Sequence, residues 1–175
     1  MQTTARFSTF CFTPDYASHK KPFFCTFILS VGLCLLPHVV HSQAIDFSEY
    51  STQIRLNEAD SIIDELREVY GVIESRRGAY SPELIEPSIL LGDAERKLGD
   101  LTTALEYYDR ALHLTRTNFG LFSPQQADIV YRQSSTYLEM RSFILAQEKE
   151  EYAYEVLSRT YGPNSPDLLP AIERM

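Results

Sequence analysis

The chain has 175 residues, a mass of 20.1 kDa, 44% hydrophobic and 23% charged residues, and a formal net charge of −8. That size and mix fit one globular domain, and 11 Tyr with 10 Phe are too many for a chain disordered throughout. The acidic balance offers nucleic acid no basic footprint, and seven Gly with nine Pro exclude a collagen-like or low-complexity chain.

The first element lies near the N-terminus. Lys20 and Lys21 precede a run from Pro22 to Ile45 that carries no formal charge. Its apolar centre, Phe23 to Leu36, is 14 residues long and ends before Pro37. A basic start, an apolar centre and the smallish Val40 and Ser42 at −3 and −1 predict a secretory signal peptide over residues 1–42, cleaved after Ser42 or alternatively after Ala44. Read from Pro22 to Val40, the same run reaches the roughly 20 residues of a membrane span, so an uncleaved signal anchor is the second reading. The predicted location is export to a periplasm or the cell exterior, with membrane anchoring as the alternative. Processing removes Cys11, Cys25 and Cys34 together with His19, His38 and His41, which leaves His113 as the single histidine. Thirteen of the 16 basic and 23 of the 24 acidic residues lie beyond Ser42, so the remaining 133 residues carry −10. A cysteine-free mature chain suits an oxidising compartment and holds no thiol nucleophile and no Cys/His zinc site.

Residues 43–80 read as an N-terminal helical segment. A short helix is predicted over 47–56 and a longer one over 58–74, with Ile62, Ile63, Leu66, Val69 and Tyr70 on its apolar face and Gly71 as a local weak point.

A repeat follows. Ser81-Pro82, Ser123-Pro124 and Ser165-Pro166 are spaced 42 residues apart, and Gly78, Gly120 and Gly162 keep the same step. Each Ser suits an N-cap, each Pro the first helical position, and each Gly the end of the preceding helix. Gln126 is expected to complete a capping box with Ser123. Residues 81–122 form the first unit: a helix over 82–98, a turn at Gly99-Asp100 and a helix over 101–118. Pro87 should kink the first of these or delay its regular part to Ser88. Apolar residues fall at Leu84, Ile89, Leu91, Ala94 and Leu98, then at Leu101, Ala104, Leu105, Tyr108, Ala111 and Leu114, a spacing of three and four. Residues 123–164 form the second unit, with helices over 124–140 and 142–160. Residues 165–175 open a third unit that stops eleven residues in. Its Leu168, Leu169 and Ile172 are expected to lie on Tyr137, Phe143 and Ala153 and to leave apolar surface bare. That predicts self-association through this end, or a chain shortened from a longer repeat protein. The predicted fold is all-α, a short α-solenoid of antiparallel helix pairs.

The stretch from Leu91 to Leu112, with Gly92, Gly99, Ala104, Tyr108 and Ala111 at its small and aromatic positions, resembles a tetratricopeptide repeat. The 42-residue step with Ser-Pro at each start is similar to the long variant of kinesin-light-chain type. The second unit is degenerate: Tyr137, Ala146 and Ala153 match, but Ser134, Arg141 and Glu150 replace Gly92, Gly99 and Tyr108. The resemblance implies a concave face lined by the first helix of each pair, which binds a peptide or a partner helix. Carried over by position, that face holds Glu86, Ile89, Asp93, Arg96 and Lys97 in the first unit and Asp128, Tyr131, Ser135, Leu138 and Glu139 in the second. Ile89 and Asp93 stand where family members carry the Lys and Asn that clamp a C-terminal carboxylate, so that particular ligand is not implied.

Catalytic chemistry finds no support in the residues. His113 has no Ser or Cys partner pattern, Glu148 to Glu151 and the Glu65/Glu68 pair read as solvated helix faces, and phosphate-loop, dinucleotide and calcium motifs are missing from the sequence. The expected function is a non-enzymatic protein–protein interaction module without cofactor or metal, with a membrane-anchored accessory subunit of an envelope complex as the alternative.

Overall fold

The computed structural model describes residues 45–175; the predicted signal peptide over 1–42 lies outside the described residues. Among the described residues there are seven α-helices and no strand: α1 Ser48–Arg55, α2 Ala59–Arg77, α3 Ile85–Leu98, α4 Leu101–Phe119, α5 Gln126–Glu139, α6 Phe143–Tyr161 and α7 Leu169–Ile172. Short 3₁₀ turns, Pro82–Leu84 and Pro166–Leu168, lead into α3 and α7. No described helix is long and apolar enough to cross a membrane.

The 42-residue step is written into the backbone. α2, α4 and α6 each have 19 residues and begin at 59, 101 and 143. Gly78, Gly120 and Gly162 end them with φ of 88°, 94° and 88°, values that an L-residue rarely adopts. The N–H of Ser81, Ser123 and Ser165 then donates to the carbonyl of the glycine three residues back, at 3.2, 3.3 and 3.2 Å. The other turns repeat as well. Asn57, Gly99 and Arg141 are all left-handed, and the next N–H (Glu58, Asp100, Ser142) reaches back five residues to Gln53, Glu95 and Tyr137 at 3.0, 3.0 and 2.8 Å. The N–H of Asn57, Gly99 and Arg141 also donates to the carbonyl of Ile54, Arg96 and Leu138 at 3.2, 3.2 and 2.9 Å, which completes the double hydrogen bond that closes a helix C-terminus. Residues 45–80 thus contain the same helix–turn–helix geometry as the two later units.

Packing runs between neighbours in the chain. α3 packs closely on α4 and α5 on α6, while α2 contacts α3 and α4 contacts α5. α1 touches both α2 and α3, and α7 with its 3₁₀ turn lies on α6. One core cluster joins Ile54, Ile62, Ile63, Leu66, Leu90, Leu91 and Ala94. A second joins Ile89, Ala104, Tyr108, Ala111, Leu112, Ile129, Val130 and Ala153. Burying each large aliphatic side chain among these contributes about 1.5–3 kcal/mol. Close approach of α3 to α4 depends on Gly92: a Cβ there would stand 2.5 Å from Cε1 of the fully buried Tyr108.

Several expectations need correction. The regular helix starts neither at Pro82 nor at Ser88: a 3₁₀ turn covers Pro82–Leu84 and α3 begins at Ile85, where a proline at the third position lacks only an N–H that has no partner inside the helix. The Ser123–Gln126 capping box does not form. The Ser123 hydroxyl pairs with the Gln125 side chain at 3.2 Å, and the Gln126 amide donates instead to the carbonyls of Leu121, Ser123 and Gly120. Helix α2 runs three residues past its predicted end, to the left-handed stop at Gly78. Leu98 is exposed at the helix end rather than buried. At the C-terminus Leu168 and Ala171 are buried, while Leu169, Ile172 and Phe143 are 57%, 51% and 65% exposed. Leu168 in the 3₁₀ turn and Ala171 in α7 take the buried side, which leaves Leu169 and Ile172 on the outer side of so short a helix.

Candidate functional site

The first helices of the successive pairs bring one cleft together. Ser51, Ile54 and Arg55 of α1, Asp93, Arg96 and Lys97 of α3, and Arg132 of α5 line a space of about 370 Å³. Arg55, Arg96 and Lys97 stand in last helical turns, where the helix dipole favours cations. Arg132 comes from the middle of α5. Among the described residues Arg55 and Lys97 have no carboxylate partner; Arg55 donates to the Thr52 hydroxyl and Lys97 to the Asn57 side chain at 3.5 Å.

Asp93 organises the middle of the cleft. Its Oδ1 accepts from the Tyr108 hydroxyl at 2.7 Å, and its Oδ2 takes Nη1 of Arg132. Arg132 also donates through Nε to Asp128 at 3.0 Å. Burial works to lower the Arg132 pKa, but the two carboxylates outweigh it and keep the guanidinium firmly charged. Burial, with Asp93 adding to it, pushes the Tyr108 hydroxyl well above its usual value, so it remains a donor. The Glu86 pKa, earlier on α3, is raised by partial loss of water, opposed by Arg132 and reinforced by Asp128 and Asp93.

The ten residues expected on the concave face are therefore placed as follows. Asp93, Arg96 and Lys97 line the cleft, and Arg96 reaches Glu139 at 3.3 Å. Asp128 joins through Arg132. Glu86 and Ile89 border a neighbouring cleft of about 340 Å³ with Pro82 and Ile129, although Ile89 is only 8% exposed and belongs mainly to the core. Tyr131 lies under the Arg174 guanidinium, 4.1 Å from the ring centre, and its buried hydroxyl has no partner among the described residues. Ser135 bonds the Tyr131 carbonyl, and Leu138 is exposed.

Arg55, Ile54 and Arg132 went unread in the sequence. Asp128 and Arg132 are four apart on one helix and look like an ordinary solvated pair. The one available signal was that Arg132 and Arg174 keep the 42-residue step. Among the described residues no group of acidic, histidine or cysteine side chains is suited to a metal ion. A further cleft, about 510 Å³, lies between α2 and α4 with Leu91 as its floor and Tyr70, Tyr107, Arg67 and Arg110 around it.

No protein-family model matches the chain, and no curated protein matches it.

Proposed function

We propose that the chain is an exported, non-enzymatic interaction module of tetratricopeptide type, a short solenoid whose first-helix face holds an extended peptide or a partner helix. The observation that carries this reading is the cleft shared by α1, α3 and α5, in which three helices separated by outer helices in sequence present side chains to one space. The 42-residue recurrence of both turns supports the solenoid, since each unit then buries its apolar face against the next. The cleft suits a peptide with acidic groups: it is open, and its lining carries four cations, Arg55, Arg96, Lys97 and Arg132, against the single carboxylate of Asp93. Export rests on the Lys20–Ser42 pattern.

Affinity capture from the exported fraction of the source cells tests the reading. Arg96→Ala combined with Tyr131→Ala should weaken capture at unchanged helicity. Capture indifferent to both changes removes the first-helix face as the site. Intact mass tests export: loss of the first 42 residues is expected, and a retained N-terminus favours the membrane-anchored subunit instead.

A further inference from the structure

Phe143, Ile144 and Leu145, at the start of α6, are 65%, 76% and 42% exposed, whereas Ala146, Ala153 and Val156 of the same helix are buried. Ala59-Asp60-Ser61 opens α2 and Leu101-Thr102-Thr103 opens α4, so positions 144 and 145 are polar in both of the other 19-residue helices. The exposed apolar pair is a property of α6 alone and not a requirement of the repeat. Contiguous apolar exposure of this kind marks a contact surface.

The charges beside the pair indicate what covers it. Glu148 stands three residues after Leu145 and four after Ile144, on the same side of α6, and Arg141 lies in the turn just ahead of the helix, so the apolar pair has an anion on its C-terminal side and a cation on its N-terminal side. Both charged residues are exposed, and neither makes an ion pair among the described residues. The order is cation, apolar, apolar, anion, so its reverse is its complement. We infer that this patch is the contact for a second copy of the chain, paired antiparallel about a two-fold axis between Ile144 and Leu145. Each Arg141 then meets the other copy's glutamate at position 148, and the apolar pairs meet at the axis. Glu148 and Glu151, exposed on the same helix, disfavour an anionic bilayer as the occupant. A patch this small gives a weak, concentration-dependent dimer.

Sedimentation velocity on the full-length chain decides it, with every variant compared on the same chain so that the N-terminal apolar run is common to all. The expected result is a reversible monomer–dimer equilibrium in the micromolar range, weakened at least about tenfold by Ile144→Asp, a change at a site too exposed to affect folding. Arg141→Glu and Glu148→Arg should each weaken self-association alone, and their equimolar mixture should restore it, because both cross-axis pairs then have opposite signs. A chain monomeric at all concentrations overturns the inference. So does a dimer that survives Ile144→Asp, including one that is lost on deleting residues 165–175, or a mixture no stronger than its components. Ile144→Asp releasing the chain from phosphatidylcholine vesicles while sedimentation is unchanged also overturns it, in favour of a bilayer.

Discussion

Arg174 stands 42 residues after Arg132, and the two arginines close successive joints of the helix stack with different acids. Arg132 takes Asp93 on the first helix of its neighbour; Arg174 lies 3.9 Å from Glu150 on the second helix. The hydroxyl beside the acid has moved the other way, from Tyr108 on α4 to Ser134 on α5, whose Oγ donates to Glu150 at 2.9 Å. Acid and hydroxyl have exchanged helices while the arginine has kept its place.

The two joints should differ in strength. Asp93→Ala strips both the Tyr108 hydroxyl and Arg132 of a partner in a site where Asp93 is 15% exposed, and should cost about 2 kcal/mol. Arg174→Ala removes a longer contact from a side chain 42% exposed, and should cost less than about 1 kcal/mol. Urea unfolding of both variants measures this, and equal losses would show that the first joint is no tighter than the second.

Gly92→Ala should destabilise by about 1–3 kcal/mol, since the new methyl meets Cε1 and Cδ1 of Tyr108 at 2.5 and 2.7 Å and the ring is fully buried. In a Tyr108→Leu background the same change should cost much less, because the obstructing ring is gone. Additive costs in the double-mutant cycle would place the glycine's contribution elsewhere.

Arg141 holds a left-handed conformation with φ of 58°, where Gly99 stands one unit earlier with φ of 89°. Arg141→Gly should relieve the strain and raise stability by about 0.5–1 kcal/mol, less what the freer unfolded chain takes back. Gly99→Ala should lower stability through backbone strain alone, as open space surrounds the position. Thermal unfolding reads both, and a loss on Arg141→Gly would mean that the arginine side chain contributes more than its conformation costs.

The turns were the legible part of this chain. Gly99 with Asp100, and Gly with Ser-Pro at a constant step, carry their own backbone preferences, so helix starts and stops followed from local chemistry. The middle of the cleft was not legible, because Asp93 and Arg132 are brought together across two helices and neither carries a local signal of that pairing. The outward aim of Ile144 and Leu145 was hidden for another reason. Four apolar residues in succession, Phe143 to Ala146, cover every direction around a helix, so their period does not say which of them faces the core. Ser123 shows a third limit: the letters of a capping box were present, but the neighbouring Gln125 took the hydroxyl.

Asp100 gives a pH-dependent test. Its carboxylate accepts from the Thr103 N–H at 3.0 Å and from the Thr103 hydroxyl at 2.9 Å, and these bonds hold its pKa below the usual 3.8. A lowered folded value adds stability above the ordinary pKa and loses it as pH falls through the folded one. The wild type should therefore exceed Asp100→Asn in stability at neutral pH, and the gap should close below pH 3.8. A gap independent of pH in denaturant titrations would show that the charge of the cap does not matter.

Asn57, Gly99 and Arg141 adopt one backbone conformation at a constant interval with three unrelated side chains. What the chain has kept is a torsion angle, not a letter. Asn57 and Arg141 hold the turn without a glycine, and the N–H that follows each still reaches back five residues to close the preceding helix. The three turns are therefore alike in their dihedrals and not in their spelling. A fourth unit joined to this chain would be recognised by its pitch before any residue in it looked familiar.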